Sequence, residues 1–247
     1  MAAVDFLGTR SLSRSFGGLI AVDGVDLSLR RGEIRAVIGP NGAGKTTLVG
    51  MICGRIRPSS GTILFAGEDI TRLPPWHRVA RGIVYTFQIT SVFRNLSCFD
   101  NVALAVQRRL LRGAGLLGGV ERSRLDKAVF AVLDRVGLSD RAFGRAGALA
   151  YGHQRLLELG MGLALEPTLL ILDEPTQGLS EDEIVGFCAI VRALAKDMTV
   201  LLIEHNMDVV MELAERITVM NNGRILAEGS PEEITANAAV QEAYLGS

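Results

Sequence analysis

The chain has 247 residues, enough for one large α/β domain with or without a lobe, and 48% of them are hydrophobic, which supplies a sizeable core. A formal net charge of -1 argues against a general nucleic-acid binder, whose phosphate contacts need a basic surface. Cys53, Cys98 and Cys188 stand far apart with no C-x-x-C pair, so they read as reduced, buried small side chains and not as a metal or redox site.

No basic stretch leading into an apolar run opens the sequence, so no secretory signal is expected. The N-terminal quarter is β-rich. Leu19 to Arg30 and Glu33 to Ile38 flank the turn pair Arg31-Gly32. Ile34 to Ile38 reads as a buried strand running into Gly39-Pro40-Asn41-Gly42-Ala43-Gly44-Lys45-Thr46-Thr47, and Leu48, Val49 and Ile52 as a helix leaving it. That stretch fits G-x-x-x-x-G-K-[ST], a loop that cradles phosphates. Its glycines let successive N–H groups point at one anion. Lys45 supplies a point charge for β- and γ-phosphates, the Thr46 hydroxyl a ligand for Mg²⁺, and the helix its positive end.

Gly61 to Phe65 is a further strand. Strand character is lost from about Gln88 to Leu165. There Leu125, Ala128, Val132, Leu133 and Val136 fall at helical spacing, and Gly137 reads as a stop. Arg112 to Gly119 is Gly-rich and aperiodic and reads as a flexible loop. The most apolar long stretch, Leu156 to Leu172, is broken by Glu158, Glu166 and Pro167. No membrane-spanning helix is expected, and membrane association has to go through a partner.

Strand and helix then alternate. Leu169 to Leu172 ends in Asp173-Glu174-Pro175, and Ser180-Glu181-Asp182-Glu183 is a capping-box pattern opening a helix. Thr199 to Ile203 is the next strand, and Asn206 caps the helix after it. Ile217 to Met220, Asn221-Asn222-Gly223 and Arg224 to Ala227 form a hairpin signal. The sum is one α/β domain over residues 1–247, with a parallel-sheet core and a helical insertion at approximately 88–165.

Four apolar residues place the Asp173 carboxylate at the carboxyl end of a buried strand, the edge where ligands collect in open α/β sheets. Asp173 would help hold Mg²⁺, and Glu174 would orient the attacking water. Taken alone, such a pair serves equally as a solvated strand end. His205 can donate to a γ-phosphate, although a lone histidine at a strand end is usually structural. The Gln88 amide oxygen can bind Mg²⁺ or water. Phe16 can stack on a base, although an aromatic near the first strand is more often core.

Leu149-Ala150-Tyr151-Gly152-His153-Gln154-Arg155 stands shortly before the Asp173 strand. With it the chain resembles the ATP-binding-cassette (ABC) ATPases, whose signature, usually L-S-G-G-Q, occupies this place. The resemblance spans essentially the whole chain and keeps motif order. It implies a P-loop NTPase (RecA-like) core with an N-terminal antiparallel β subdomain and an inserted α-helical subdomain. It also implies roles. Phe16 matches the adenine-loop aromatic, Gln88 the Q-loop, Glu174 the catalytic glutamate and His205 the switch histidine. Gly178 to Glu181 matches the D-loop, and Ala150 to Gln154 the stretch that meets a γ-phosphate on the opposite subunit.

Arg14-Ser15-Phe16-Gly17-Gly18-Leu19, Tyr85-Thr86-Phe87-Gln88, Ile203-Glu204-His205-Asn206-Met207 and Tyr244-Leu245-Gly246 resemble one branch, the ATPase subunits of importers for branched-chain amino acids. Urea and short-chain amide importers have similar ATPases and remain an alternative. A soluble non-transport ABC ATPase is another, but such proteins carry a long coiled coil or two cassettes. The resemblance implies ATP and Mg²⁺ as cofactors and integral membrane permease subunits as partners. It adds a second ATPase subunit, a substrate-binding protein acting indirectly, and a place on the cytoplasmic face of the inner membrane. Ala150, Tyr151 and His153 replace the signature's serine, first glycine and glutamine. A different partner ATPase with its own signature is therefore expected, with a homodimer of this chain as the alternative.

Overall fold

The computed structural model describes residues 6–86, 91–111 and 121–245. The chain order begins with β1 (Leu7–Phe16), β2 (Leu19–Val25), β3 (Ser28–Leu29), β4 (Ile34–Ile38), α1 (Lys45–Ile52), β5 (Ser60–Phe65), β6 (Glu68–Asp69), α2 (Pro75–Ala80) and β7 (Ile83–Thr86). Three helices follow, α3 (Cys98–Leu111), α4 (Arg122–Arg135) and α5 (Tyr151–Leu163). The last part alternates: β8 (Leu169–Asp173), α6 (Glu181–Leu194), β9 (Thr199–Ile203), α7 (Met207–Leu213), β10 (Arg216–Asn221), β11 (Arg224–Gly229), α8 (Pro231–Thr235) and α9 (Ala238–Leu245).

Two sheets result. The N-terminal one is antiparallel, in the order β2-β1-β5-β6 with β3 also on β1. The central one runs β11-β10-β4-β9-β8-β7, parallel throughout except for the β10–β11 hairpin. Its inner strands β4, β9 and β8 are covered on both faces, which is why they read as largely apolar runs, interrupted in β4 by the buried Arg35. Leu169 and Ile171 of β8 and Leu201 and Ile203 of β9 pack with Leu48, Val49 and Ile52 of α1 and with Leu7, Leu12 and Phe65 of the N-terminal sheet. The alternate residues Leu170, Leu172, Val200 and Leu202 pack on the other face with Leu157 of α5 and Phe187 and Val191 of α6. Each such fully buried side chain contributes about 1.5–3 kcal/mol relative to exposure.

Helix signals in the sequence correspond to real ends. Ser180 and Glu183 form the reciprocal capping box of α6, and the Asn206 side chain accepts from Asp208 and Val209 N–H to cap α7. Gly137, at φ 69°, follows the end of α4. Gln88 and the Arg112 to Gly119 loop lie outside the described residues. Cys53, Cys98 and Cys188 are free and buried. Among the described residues no helix is long and apolar enough to cross a membrane.

Candidate nucleotide-binding site

Parallel pairing brings the carboxyl ends of β4, β9 and β8 to one edge, with Val37 opposite Ile203 and Ile203 opposite Asp173. The loop after each strand therefore opens into the same space. After β4 the chain can only be glycine at two points. A Cβ on Gly39 (φ 147°) would lie 2.1 Å from the Met220 carbonyl oxygen, and one on Gly44 (φ 99°) 2.3 Å from that of Ala21. Pro40 to Ala43 turn between them, closed by Ala43 N–H to the Pro40 carbonyl at 3.2 Å. α1 then starts at Lys45 with Gly44 as its cap, no capping side chain and no acidic residue in its first turn. Its leading N–H groups and positive end are thus available to an anion.

Lys45 folds back over this loop, its Nζ donating to the carbonyls of Gly39 (2.6 Å) and Pro40 (3.0 Å). Burial lowers its pKa, against the opposing pull of Glu174 and Asp173. A cleft of about 340 Å³ lies here, lined by Asn41, Gly42, Thr46, Thr47, Phe16 and Glu174 among others. Phe16 is not a core side chain. It is 44% exposed, and the Arg14 guanidinium sits 4.4 Å from its ring centre, leaving it at the cleft.

Asp173 ends β8, buried, and accepts a 2.6 Å hydrogen bond from the Tyr85 hydroxyl on neighbouring β7. Burial pushes the Asp173 pKa up, partly offset by that hydrogen bond, and burial likewise pushes the Tyr85 hydroxyl up. Glu174 has φ 46°, a left-handed conformation that costs a non-glycine residue about 1–3 kcal/mol and gathers at functional sites. It is held there by its N–H to the Ile203 carbonyl (2.8 Å), and its own carbonyl accepts from Gln177 N–H and from Arg155 of α5. The His205 Nδ1 lies 3.8 Å from the Glu174 carboxylate, and the imidazole is otherwise largely exposed. So Lys45, Thr46, Asp173, Glu174 and His205 share one edge. Gln88 is not among the described residues.

The signature stretch stands elsewhere. Ala150 is the N-cap of α5 and makes no side-chain cap bond, and Tyr151 is exposed. Glu183 of α6 packs against Gly152, where a Cβ would be 2.2 Å from its Oε1, and the Gln154 amide donates to the Leu149 carbonyl. His153 Nδ1 is buried without a hydrogen-bond partner. None of these residues lines the cleft at Lys45. Arg155, next along α5, does touch the site, through the Glu174 backbone carbonyl.

The groups present fit a nucleotide carrying its own divalent cation. No cluster of three or more His, Cys, Asp or Glu suited to a metal occurs among the described residues. Magnesium in such sites rests on one or two protein groups plus phosphate oxygens, and Asp173 and the exposed Thr46 hydroxyl supply that number. Tyr85 and Arg155 also belong to this site, through Asp173 and through the Glu174 carbonyl. Their hydrogen bonds across strands and to the Glu174 backbone have no periodic signature.

The Asp173 shift has a testable sign. A carboxyl whose folded pKa is raised favours folding while protonated, below its unfolded value, and costs stability as pH rises through the folded one. Asp173→Asn keeps an acceptor for Tyr85 and removes the buried charge. The expected result is a higher melting temperature than wild type for the nucleotide-free chain at pH 7, a gain that narrows as pH falls. Thermal melts across pH check it, and a lower melting temperature at pH 7 contradicts it.

Comparison with known proteins gives the family and the fold. The family model described as "ABC transporter" matches residues 22–177, and that described as "Branched-chain amino acid ATP-binding cassette transporter" matches residues 224–247. The chain is 40% identical to a high-affinity branched-chain amino acid transport ATP-binding protein, BraF, of Pseudomonas aeruginosa. It is equally similar to one named LivG of Salmonella typhimurium, and 97% of each chain is covered in both cases. Among solved structures, an ATP-binding cassette of an ABC transporter in its ADP conformation superposes with a TM-score of 0.87. That chain is 30% identical, covering 99% of this chain and 100% of the other.

Proposed function

The chain belongs to the ATP-binding subunits of ABC transporters and is an ATPase that powers transport, and from that premise we propose that its cargo is branched-chain amino acids, moved inward. What carries the cargo reading is the match of residues 224–247 to the branched-chain model together with the similarity of the full chain to transporters named for that cargo.

In this reading Phe16 stacks on the adenine, and the amides from Gly39 to Thr47 with Lys45 grip the phosphates. Thr46, Asp173 and Gln88 hold the cation. Mg²⁺, when bound, neutralises charge spread over the β- and γ-phosphate oxygens. Glu174 orients a water for in-line attack on the γ-phosphorus as the bond to the bridging oxygen breaks and ADP leaves. His205 donates to a γ-phosphate oxygen. Residues Ala150 to Gln154 reach ATP only on an opposing ATPase subunit, which accords with their absence from the lining of this chain's own cleft. Ala150 brings no hydroxyl there, so the favoured partner is a different ATPase with a serine at that place. The pair docks on integral membrane permease subunits at the cytoplasmic face, and a substrate-binding protein delivers the cargo from the other side.

The test is uptake of labelled leucine into vesicles holding this chain with the products of its neighbouring genes. Uptake that needs ATP and disappears with Lys45→Ala is the expected result. Uptake of urea or a short amide in place of leucine overturns the cargo assignment and leaves the ATPase role standing.

A further inference from the structure

Glu204 follows β9 directly, its side chain is sealed from solvent, and the chemistry above makes no use of it. A buried carboxylate is costly unless hydrogen bonds satisfy it. Here four donors do so. One oxygen, Oε1, accepts from the Thr176 N–H at 3.2 Å and from the Thr176 hydroxyl. The other, Oε2, accepts from the N–H groups of His205 at 2.9 Å and Asn206 at 3.2 Å. Two donors thus belong to the turn after Glu174 and two to the loop that carries the histidine. The same Oε2 lies 3.8 Å from His205 Nδ1, matching that atom's 3.8 Å distance from the Glu174 carboxylate.

We propose that Glu204 is a positioning residue for ATP hydrolysis: its carboxylate fastens the His205 loop to the Glu174–Gln177 turn, so that imidazole and catalytic carboxylate move as one body. The inference rests on the hydrolytic reading of the site. The turn is strained at Glu174, and a strained conformation persists only where its surroundings over-determine it. Backbone pairing of Glu174 N–H with the Ile203 carbonyl fixes one side, and Glu204 fixes the other through Thr176. Asn206, held by the same carboxylate, is also the cap of α7, so the direction of that helix is tied to the same point. The phosphate loop, one strand away, has anchors of its own. Its contacts run to Ala21, Met220 and Gly223, on β2 and the β10–β11 hairpin. ATP binding and turnover are therefore separable at Glu204, which a residue that merely filled space would not allow.

The experiment compares Glu204→Gln, His205→Ala and the double variant, in the full chain assembled with its transporter subunits, reading ATP affinity and steady-state hydrolysis. The amide of Glu204→Gln turns an N–H toward donors on one side. Turnover is expected to fall at least about tenfold, the rate equivalent of one charged hydrogen bond, with ATP affinity within about threefold of wild type. Because Glu204 acts through the His205 loop, adding Glu204→Gln to His205→Ala is expected to lower turnover by less than about twofold more. Full additivity, or a loss of ATP affinity as large as the loss of turnover, overturns the positioning role. If Glu204→Gln does not fold, Thr176→Val removes one donor and carries the same test. A smaller fall in turnover at unchanged affinity supports the proposal, and additivity with His205→Ala overturns it. Normal turnover in His205→Ala removes His205, and with it the positioning role, while absence of ATP hydrolysis by the wild-type assembly is what overturns the hydrolytic reading itself.

Discussion

Lys45→Ala is expected to weaken ATP binding at least about 100-fold. The side chain is the one cation of the phosphate loop itself, and a hydrogen bond to a charged group contributes about 1.5–3 kcal/mol, with more than one phosphate oxygen within reach of one ammonium. The fold should survive. The ammonium donates to the carbonyls of Gly39 and Pro40, beside a cleft from which water can take its place. The loop's shape comes instead from Gly39 and Gly44, whose missing side chains allow contact with the Met220 and Ala21 carbonyls. Equilibrium titration with a fluorescent ATP analogue, alongside a thermal melt, separates the two effects. Unchanged affinity in a folded variant removes Lys45 from the site. A collapsed melting temperature would mean that the ammonium holds the loop together, contrary to the geometry.

How legible this molecule is from its letters varies by element, for physical reasons. β4, β8 and β9 are sandwiched, so they are mostly apolar, broken only by Arg35, Asp173 and Thr199, and the runs are visible. β9 starts and stops at Thr199 and Ile203, as its sequence predicts. The phosphate loop is legible because glycine is forced there by contacts that no other residue tolerates. The Ser180 and Asn206 caps are legible because they act within three residues of themselves. β1 is not delineated by its letters. Its alternation is scrambled by a bulge at Ser11, where φ is 44° and the register with β5 shifts between Arg10 and Ser13. β7 is hidden as well, since a four-residue strand carries too little pattern to set it apart from the segment after it. In the site, strand order decides what meets. β9 lies between β4 and β8, so Glu204 and His205 stand beside both the phosphate loop and Glu174. The sequence places each motif at a strand end and contains no statement of that order. Contacts made across it, Tyr85 to Asp173 and Glu204 to Thr176, follow from topology alone.

Glu174→Gln is expected to leave ATP bound and to cut steady-state hydrolysis by about 10²-fold or more, the range that a positioned acid–base group contributes. Glutamine keeps the length of the side chain and one acceptor oxygen, and the backbone bonds that hold φ at 46° do not involve the carboxylate. What is lost is the negative charge of a carboxylate that lines the cleft together with Lys45 and lies 3.8 Å from the His205 Nδ1. ATP that binds and is not consumed should also trap the closed pair of ATPase subunits, because closure is driven only by the preference of that state for ATP over ADP. Light scattering with Mg-ATP then reads the partner directly. A chain with Ala150 at the signature contributes no hydroxyl to the opposing phosphate. The trapped pair should therefore form more readily with a second, serine-bearing ATPase than with another copy of this chain, and Ala150→Ser should strengthen self-pairing. Equal self-pairing with no gain from Ala150→Ser would mean that the backbone amides around Gly152 suffice. Near-normal hydrolysis by Glu174→Gln in the complete transporter would remove Glu174 as the main catalytic carboxylate.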